Sequence, residues 1–238
     1  MLSVKPWKPE AVLYLFGGVY LCMVAGGILI GLIYPATAKS NEMTFSGSAL
    51  SILCFHGAAL VLIGIFVRKH RVTWKAAFGF LNRWKYSIGL GCLGCIAFFF
   101  IGQGLQDFSI WLLKIITHKE PARQAAVTAL GTADSWSQQI FMLVTMVLLA
   151  PVVEEILFRG ILYPLIKQAG FPKIAFLGVS LLFAAVHFTP AIFLPLFVLA
   201  LLLTWLYERT DNLLAPITAH SLFNATGFVL FYWQKYHQ

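Results

Sequence analysis

Carboxylates are scarce in this sequence. Nine Asp and Glu stand beside 17 Lys and Arg in 238 residues, and charged residues make up only 11% of the chain. A soluble domain carries about 25%, so one water-soluble core is excluded. Hydrophobic residues reach 60% and the mean hydropathy is +0.83. Cysteine is also sparse. Cys22, Cys54, Cys92 and Cys95 all lie inside apolar runs, and the one CxxC (Cys92, Cys95) has no second pair to complete a zinc site. They read as small packing residues of membrane helices. Long polar stretches are missing too. The longest, about 117–137, is too short for a domain of its own. No internal repeat is visible, which argues against a small-solute transporter built from inverted halves. The net charge of +8 is spread between apolar runs, which speaks against nucleic acid. Its densest group, Arg68, Lys69, Arg71, Lys75, Arg83 and Lys85, borders apolar runs as orientation signals and headgroup contacts do.

What is there is a series of runs long enough to cross a bilayer, which takes roughly 20 apolar residues. They cover about 11–33, 43–67, 86–106, 135–153, 188–207 and 212–234, with a shorter one at 174–186. The prediction is an all-α, polytopic transmembrane helix bundle with about seven to eight membrane helices. The run Ala11–Ile33 is too long for a signal-peptide core, despite the cleavage-like Ala36-Thr37-Ala38, and is expected to remain as the first span. Gly27 with Gly31, and Gly91 with Cys95, suit close helix contact. Gly170 is placed to end a helix and Pro172 to begin one. Thr189 before Pro190, and Asp211 or Asn212 before Pro216, read as caps. Segment 72–85 puts Trp74, Phe78 and Leu81 on one face, which predicts an interfacial helix. With a cytoplasmic N-terminus, twelve Lys and Arg, Arg159 among them, fall on the cytoplasmic side and five (Lys39, Lys114, Lys119, Arg123, Lys235) on the other, as the positive-inside rule favours.

Against that background "PVVEEILFRG", residues 151–160, stands out. A charge at the middle of a membrane helix costs about 2.5–3.5 kcal/mol. Glu155 and Arg159 are four apart in the favourable order for a helical ion pair. Glu154 is rotated by about 100° from Glu155 and is free for another task. His187 ends an apolar run, and His220 and Asn224 share one face of another. His56, with no polar residue four positions away, reads as a packing histidine. A carboxylate beside an imidazole in a desolvated site can deprotonate water. A second imidazole and an amide can donate to an oxyanion. Glu154, His187 and His220 can equally ligate a divalent metal such as zinc, and these residues alone leave both forms of water activation open.

Three motifs lie in order: Glu154-Glu155-xxx-Arg159, Phe183-xxx-His187 and His220-xxx-Asn224. Together they resemble the CPBP family of intramembrane proteases (CAAX protease and bacteriocin-processing, or Abi). The resemblance covers about residues 135–230. It implies one integrated membrane domain, with N-terminal helices over 1–134 and a protease core over 135–233 around an intramembrane cavity. It further implies that Glu154 and His187 activate water, His220 and Asn224 stabilise the oxyanion, and Glu155 with Arg159 organises the site. The expected partners are membrane lipids and a peptide or protein substrate, possibly lipidated. The expected location is a bacterial plasma membrane, multi-pass, with the site toward the cytoplasm. A non-catalytic scaffold or bacteriocin immunity protein would use the same polar cavity for binding.

Overall fold

A computed structural model of the chain describes residues 2–34, 44–80, 82–119, 121 and 125–237. Its helices are α1 (Pro9–Ile33), α2 (Phe45–Lys69), α3 (Trp74–Phe78), α4 (Trp84–Thr117), α5 (Ala125–Gly131), α6 (Trp136–Gln168), α7 (Pro172–Ala185), α8 (Pro190–Thr210) and α9 (Leu214–His237). Among the described residues six helices, α1, α2, α4, α6, α8 and α9, are long and apolar enough to cross a membrane. Many of their large apolar side chains face outward, from Leu13 and Tyr14 on α1 to Val229 and Trp233 on α9, as lipid-facing helices require. The chain is therefore an integral, multi-pass membrane protein of the expected all-α class. Ala36-Thr37-Ala38, Lys39, Leu81 and Arg123 lie outside the described residues.

Two helices run further than their apolar runs. α4 continues past 106 to Thr117 because Gln103 and Asp107 satisfy each other across one turn at 3.0 Å. α6 does not stop at 153. It passes through Glu154, Glu155 and Arg159, which are held inside the bundle, and ends at Gln168 beside Gly170. Arg159, counted above among the cytoplasmic-side cations, thus lies inside the bundle with its side chain fully buried. α7 has only 14 residues, about 21 Å at 1.5 Å each, short of the roughly 30 Å hydrocarbon core. Its end, with His187, therefore stays at membrane depth.

One end of the bundle gathers the basic loops. Trp7 packs on Phe66 and His70 and lies 6.2 Å from Phe78, centroid to centroid. Its indole N–H donates to Gly160 O at 2.8 Å. That carbonyl is available because Pro164, four residues on, has no N–H to give it. Leu213 N–H donates to Phe78 O at 3.0 Å, and Asn212 to Asn82 O at 2.6 Å. Lys5, buried, meets Asp211 at 3.4 Å. Burial holds its ammonium below the ordinary lysine value, against the pull of Asp211. Glu208 binds Lys167 and Tyr163.

Three local expectations change here. The interfacial helix is reduced to the five residues of α3, capped by Thr73 and ended by Gly79 at φ 72°. Its Phe78 is buried rather than laid along headgroups. Gly27 and Gly31 face open space, and the close approach is Gly26, where an added Cβ would come within 2.6 Å of Cys54 Cβ. Thr189 Oγ donates to His187 O at 3.1 Å instead of capping α8. Asn212 is the residue that caps α9, taking Leu214 N–H at 2.8 Å. Gly91 does carry a tight α4–α9 contact, since a Cβ there would meet Ala215 O at 2.5 Å.

Candidate active site

Three π-helical turns surround the polar centre: 53–57 in α2, 145–149 in α6 and 156–162 in α6. Such turns widen a helix by one residue and redirect its side chains. The two in α6 each lead into a proline, Pro151 and Pro164, because a wider turn accommodates a ring that clashes with the preceding carbonyls.

On the Glu155 side the polar groups are tightly tied. Glu155 Oε1 accepts from Arg159 Nη1 and from His220 Nδ1, both at 2.9 Å. Arg159 also donates to Ala200 O at 3.2 Å and to Thr204 Oγ1 at 3.5 Å. Its guanidinium lies 4.4 Å from the centre of the Phe183 ring, a cation–π contact made in a desolvated place. One buried ion pair thus joins α6, α7, α8 and α9. Phe183 is the platform on which this assembly rests. Its ring is 4.9 Å from His187 and 5.7 Å from His220.

On the Glu154 side the distances open. Glu154 Oε2 lies 3.8 Å from His220 Nε2, and Oε1 lies 3.9 Å from His56 Nε2. Both exceed a hydrogen bond and are spacings at which a bridging water has to be considered. His187 is within electrostatic range of Glu154. Its Nδ1 pairs with Phe183 O at 2.7 Å, so the N–H sits on Nδ1 and Nε2 is free.

Asn224 is partly committed. Its Nδ2 donates to Met146 O at 2.9 Å. The backbone explains why. In the π turn Ala150 N–H reaches Thr145 O, leaving Met146 O to the residue after it, and that residue is Pro151. The side-chain amide of Asn224 supplies what the proline cannot. One further N–H of this amide remains.

The structure thus brings Glu154, Glu155, Arg159, His187, His220 and Asn224 to one place. It adds His56, which the sequence reading left as a packing residue. Its partner is 98 positions away, and only the presence of a histidine in an apolar run signalled it. Among the described residues no three or more His, Cys, Asp and Glu side chains are arranged to hold a metal ion. Glu154, His187 and His220 as placed are not a ligand set.

Residues 136–226 match a family model, Type II CAAX prenyl endopeptidase Rce1-like. Over these residues the chain is similar to that family of membrane proteases. The match runs from the start of α6 into α9 and contains all three motifs. Two curated proteins are similar over most of the chain. "UPF0177 protein YxdF" of Lactococcus lactis subsp. lactis (strain IL1403) is 28% identical over 173 residues, 71% of this chain and 90% of that protein. "Putative membrane peptidase YdiL" of Bacillus subtilis (strain 168) is 28% identical over 209 residues, 86% of this chain and 81% of that protein. No solved structure matches the chain.

Proposed function

We propose that this membrane protease is an intramembrane endopeptidase that hydrolyses a peptide bond of a membrane-associated or lipidated substrate, with Glu154 as its base. The observation that carries this reading is the contrast within the site. Glu155 is fixed by Arg159 and His220 through Oε1, its Oε2 lying buried without a partner, while both oxygens of Glu154 face imidazole nitrogens across gaps of 3.8 and 3.9 Å. Glu154 takes a proton from water as the water oxygen bonds to the scissile carbonyl carbon. The C–N bond breaks as that proton passes to the leaving nitrogen. His187, its Nδ1 held by Phe183 O, keeps Nε2 as the nitrogen that helps Glu154 activate the water. The remaining N–H of Asn224 and, in its imidazolium form, His220 Nε2 are the donors for the oxyanion. Glu155 and Arg159 orient His220 and act on the substrate only through it. Helices before 135 and the core over 135–233 work as one domain.

The cytoplasmic side is the basic end. Eleven Lys and Arg lie there: Lys5, Lys8, Arg68, Lys69, Arg71, Lys75, Arg83, Lys85, Lys167, Lys173 and Arg209. Lys114, Lys119 and Lys235 lie toward the other end, in keeping with the positive-inside rule. The site residues sit about 10–20 Å up their helices from the basic end, within reach of a substrate anchored in the cytoplasmic leaflet of a bacterial plasma membrane.

The test compares peptide termini in membranes of cells carrying the wild type and Glu154→Gln at equal protein levels. Termini present with the wild type and lost with the variant are expected. Identical sets, with an intact cellular phenotype, would favour a binding scaffold instead.

A further inference from the structure

The family match begins at residue 136, yet one side chain facing Glu154 comes from α2. His56 occupies the π turn 53–57, and its ring points into the bundle. Its Nδ1 pairs with Ile52 O at 3.3 Å, so Nδ1 carries the hydrogen and Nε2 carries the lone pair. That Nε2 is buried and has no hydrogen-bond partner. An unsatisfied buried acceptor is costly, and here it is aimed at a second acceptor, the Oε1 of Glu154, 3.9 Å away. Two acceptors cannot bond to each other. A molecule with two donor hydrogens satisfies both.

We propose that His56 is the second acceptor for the attacking water, a reading that rests on the protease assignment of Glu154. One water hydrogen points at Glu154 Oε1 and leaves with that carboxylate as a proton. The other is held by His56 Nε2 and stays on oxygen as the new C–O bond forms. With both hydrogens fixed, the water lone pair is directed away from the two side chains, toward the scissile carbonyl. Orientation of this kind separates a bound water from a nucleophile. The balance is unchanged by His56: the proton taken by Glu154 goes to the leaving nitrogen, and His56 neither gains nor loses one.

α2 is held in the register this requires. Trp7, Phe66 and Phe78 fasten it at the basic end, and Phe45 meets Phe141 with ring centroids 5.8 Å apart toward the other end. His56 lies between the two fastenings.

The test uses the full-length protein and three substitutions. Glu154→Gln defines the termini that depend on cleavage. His56→Phe keeps a ring but removes the nitrogen, and His56→Gln keeps an acceptor at similar reach. The abundance of Glu154-dependent termini is expected to fall about 10- to 100-fold in His56→Phe and to stay within about threefold of wild type in His56→Gln. Should His56→Phe fail to accumulate, His56→Asn, whose amide ends short of the Nε2 position, replaces it with the same expected loss. A folded His56→Phe or His56→Asn protein with wild-type termini overturns the proposal. Infrared difference spectra of the purified protein supply a readout that needs no cleavage. The carboxylate band absent from Glu154→Gln is expected to shift in His56→Phe and to return in His56→Gln, and an unmoved band also overturns it. If Glu154→Gln leaves all termini in place, the protease reading itself fails, while the infrared result still decides whether His56 acts on Glu154.

Discussion

Glu154 and Glu155 are neighbours in sequence, but α6 carries them into two different regions. On the Glu155 side, one oxygen receives two donors at 2.9 Å, and the arginine that supplies one of them is also bound to α8 and lies over the Phe183 ring of α7. On the Glu154 side, the facing nitrogens stand at 3.8 and 3.9 Å. The two donors on Glu155 Oε1 hold helices together and fix this carboxylate in place. Open spacing weakens the fold locally and leaves room for a water and a carbonyl. A membrane protein with few carboxylates has placed one on each side of this division.

Substitutions at the two residues should therefore fail in different ways. Removing one partner of a buried ion pair costs about 3–5 kcal/mol, so Glu155→Ala should lose folded protein as well as cleavage, read by thermal unfolding of the detergent-solubilised chain. Glu154→Gln should lower cleavage by about 10²–10⁴-fold with little change in unfolding temperature. An equal loss of stability in both variants would erase the distinction.

Asn224 sharpens the comparison because it serves both regions. Asn224→Ala leaves Met146 O without its donor, at a cost of about 1–3 kcal/mol. Pro151→Ala returns a backbone N–H to the same turn. The double variant should recover much of the stability lost in Asn224→Ala, but none of the cleavage. Additive losses in unfolding temperature would show that the amide does not compensate for the proline.

The smallest effect is expected at Lys5, far from both carboxylates. Its folded-state value lies below the ordinary 10.5, while the unfolded chain keeps the ordinary one. Between these values the unfolded chain binds more protons, so stability should rise as the pH increases through that window. Lys5→Met should flatten the rise, measured by unfolding temperature across that range.

Much of this organisation can be read from the sequence. The apolar runs locate every long helix, and the spacing of Glu155 and Arg159 announces their pairing. The limits of that reading have physical causes. Counting apolar residues ends α6 at its first charge, although Glu155 and Arg159 pair within α6 and are tied further to α8 and α9. Trp74 and Phe78 share a face, but periodicity says nothing of Gly79, whose backbone ends the helix and turns Phe78 inward. Asn224 shows its hydrogen-bonding capacity but not the proline 73 residues earlier that claims part of it. His56 has no polar side chain four positions away. Its significance depends on a tertiary distance.

The bond from Trp7 to Gly160 also orders events during synthesis. Its two ends are 153 residues apart, so α1 and α2 enter the bilayer long before the carbonyl that fastens them exists. Until α6 arrives, the pair can rely on its own contact at Gly26 and Cys54. When the indole finds Gly160, α2 is seated and His56 is delivered to Glu154 by the same movement. The newborn chain would thus hold an incomplete water site through most of its assembly. A long-range contact at the basic end would be the one that arms it.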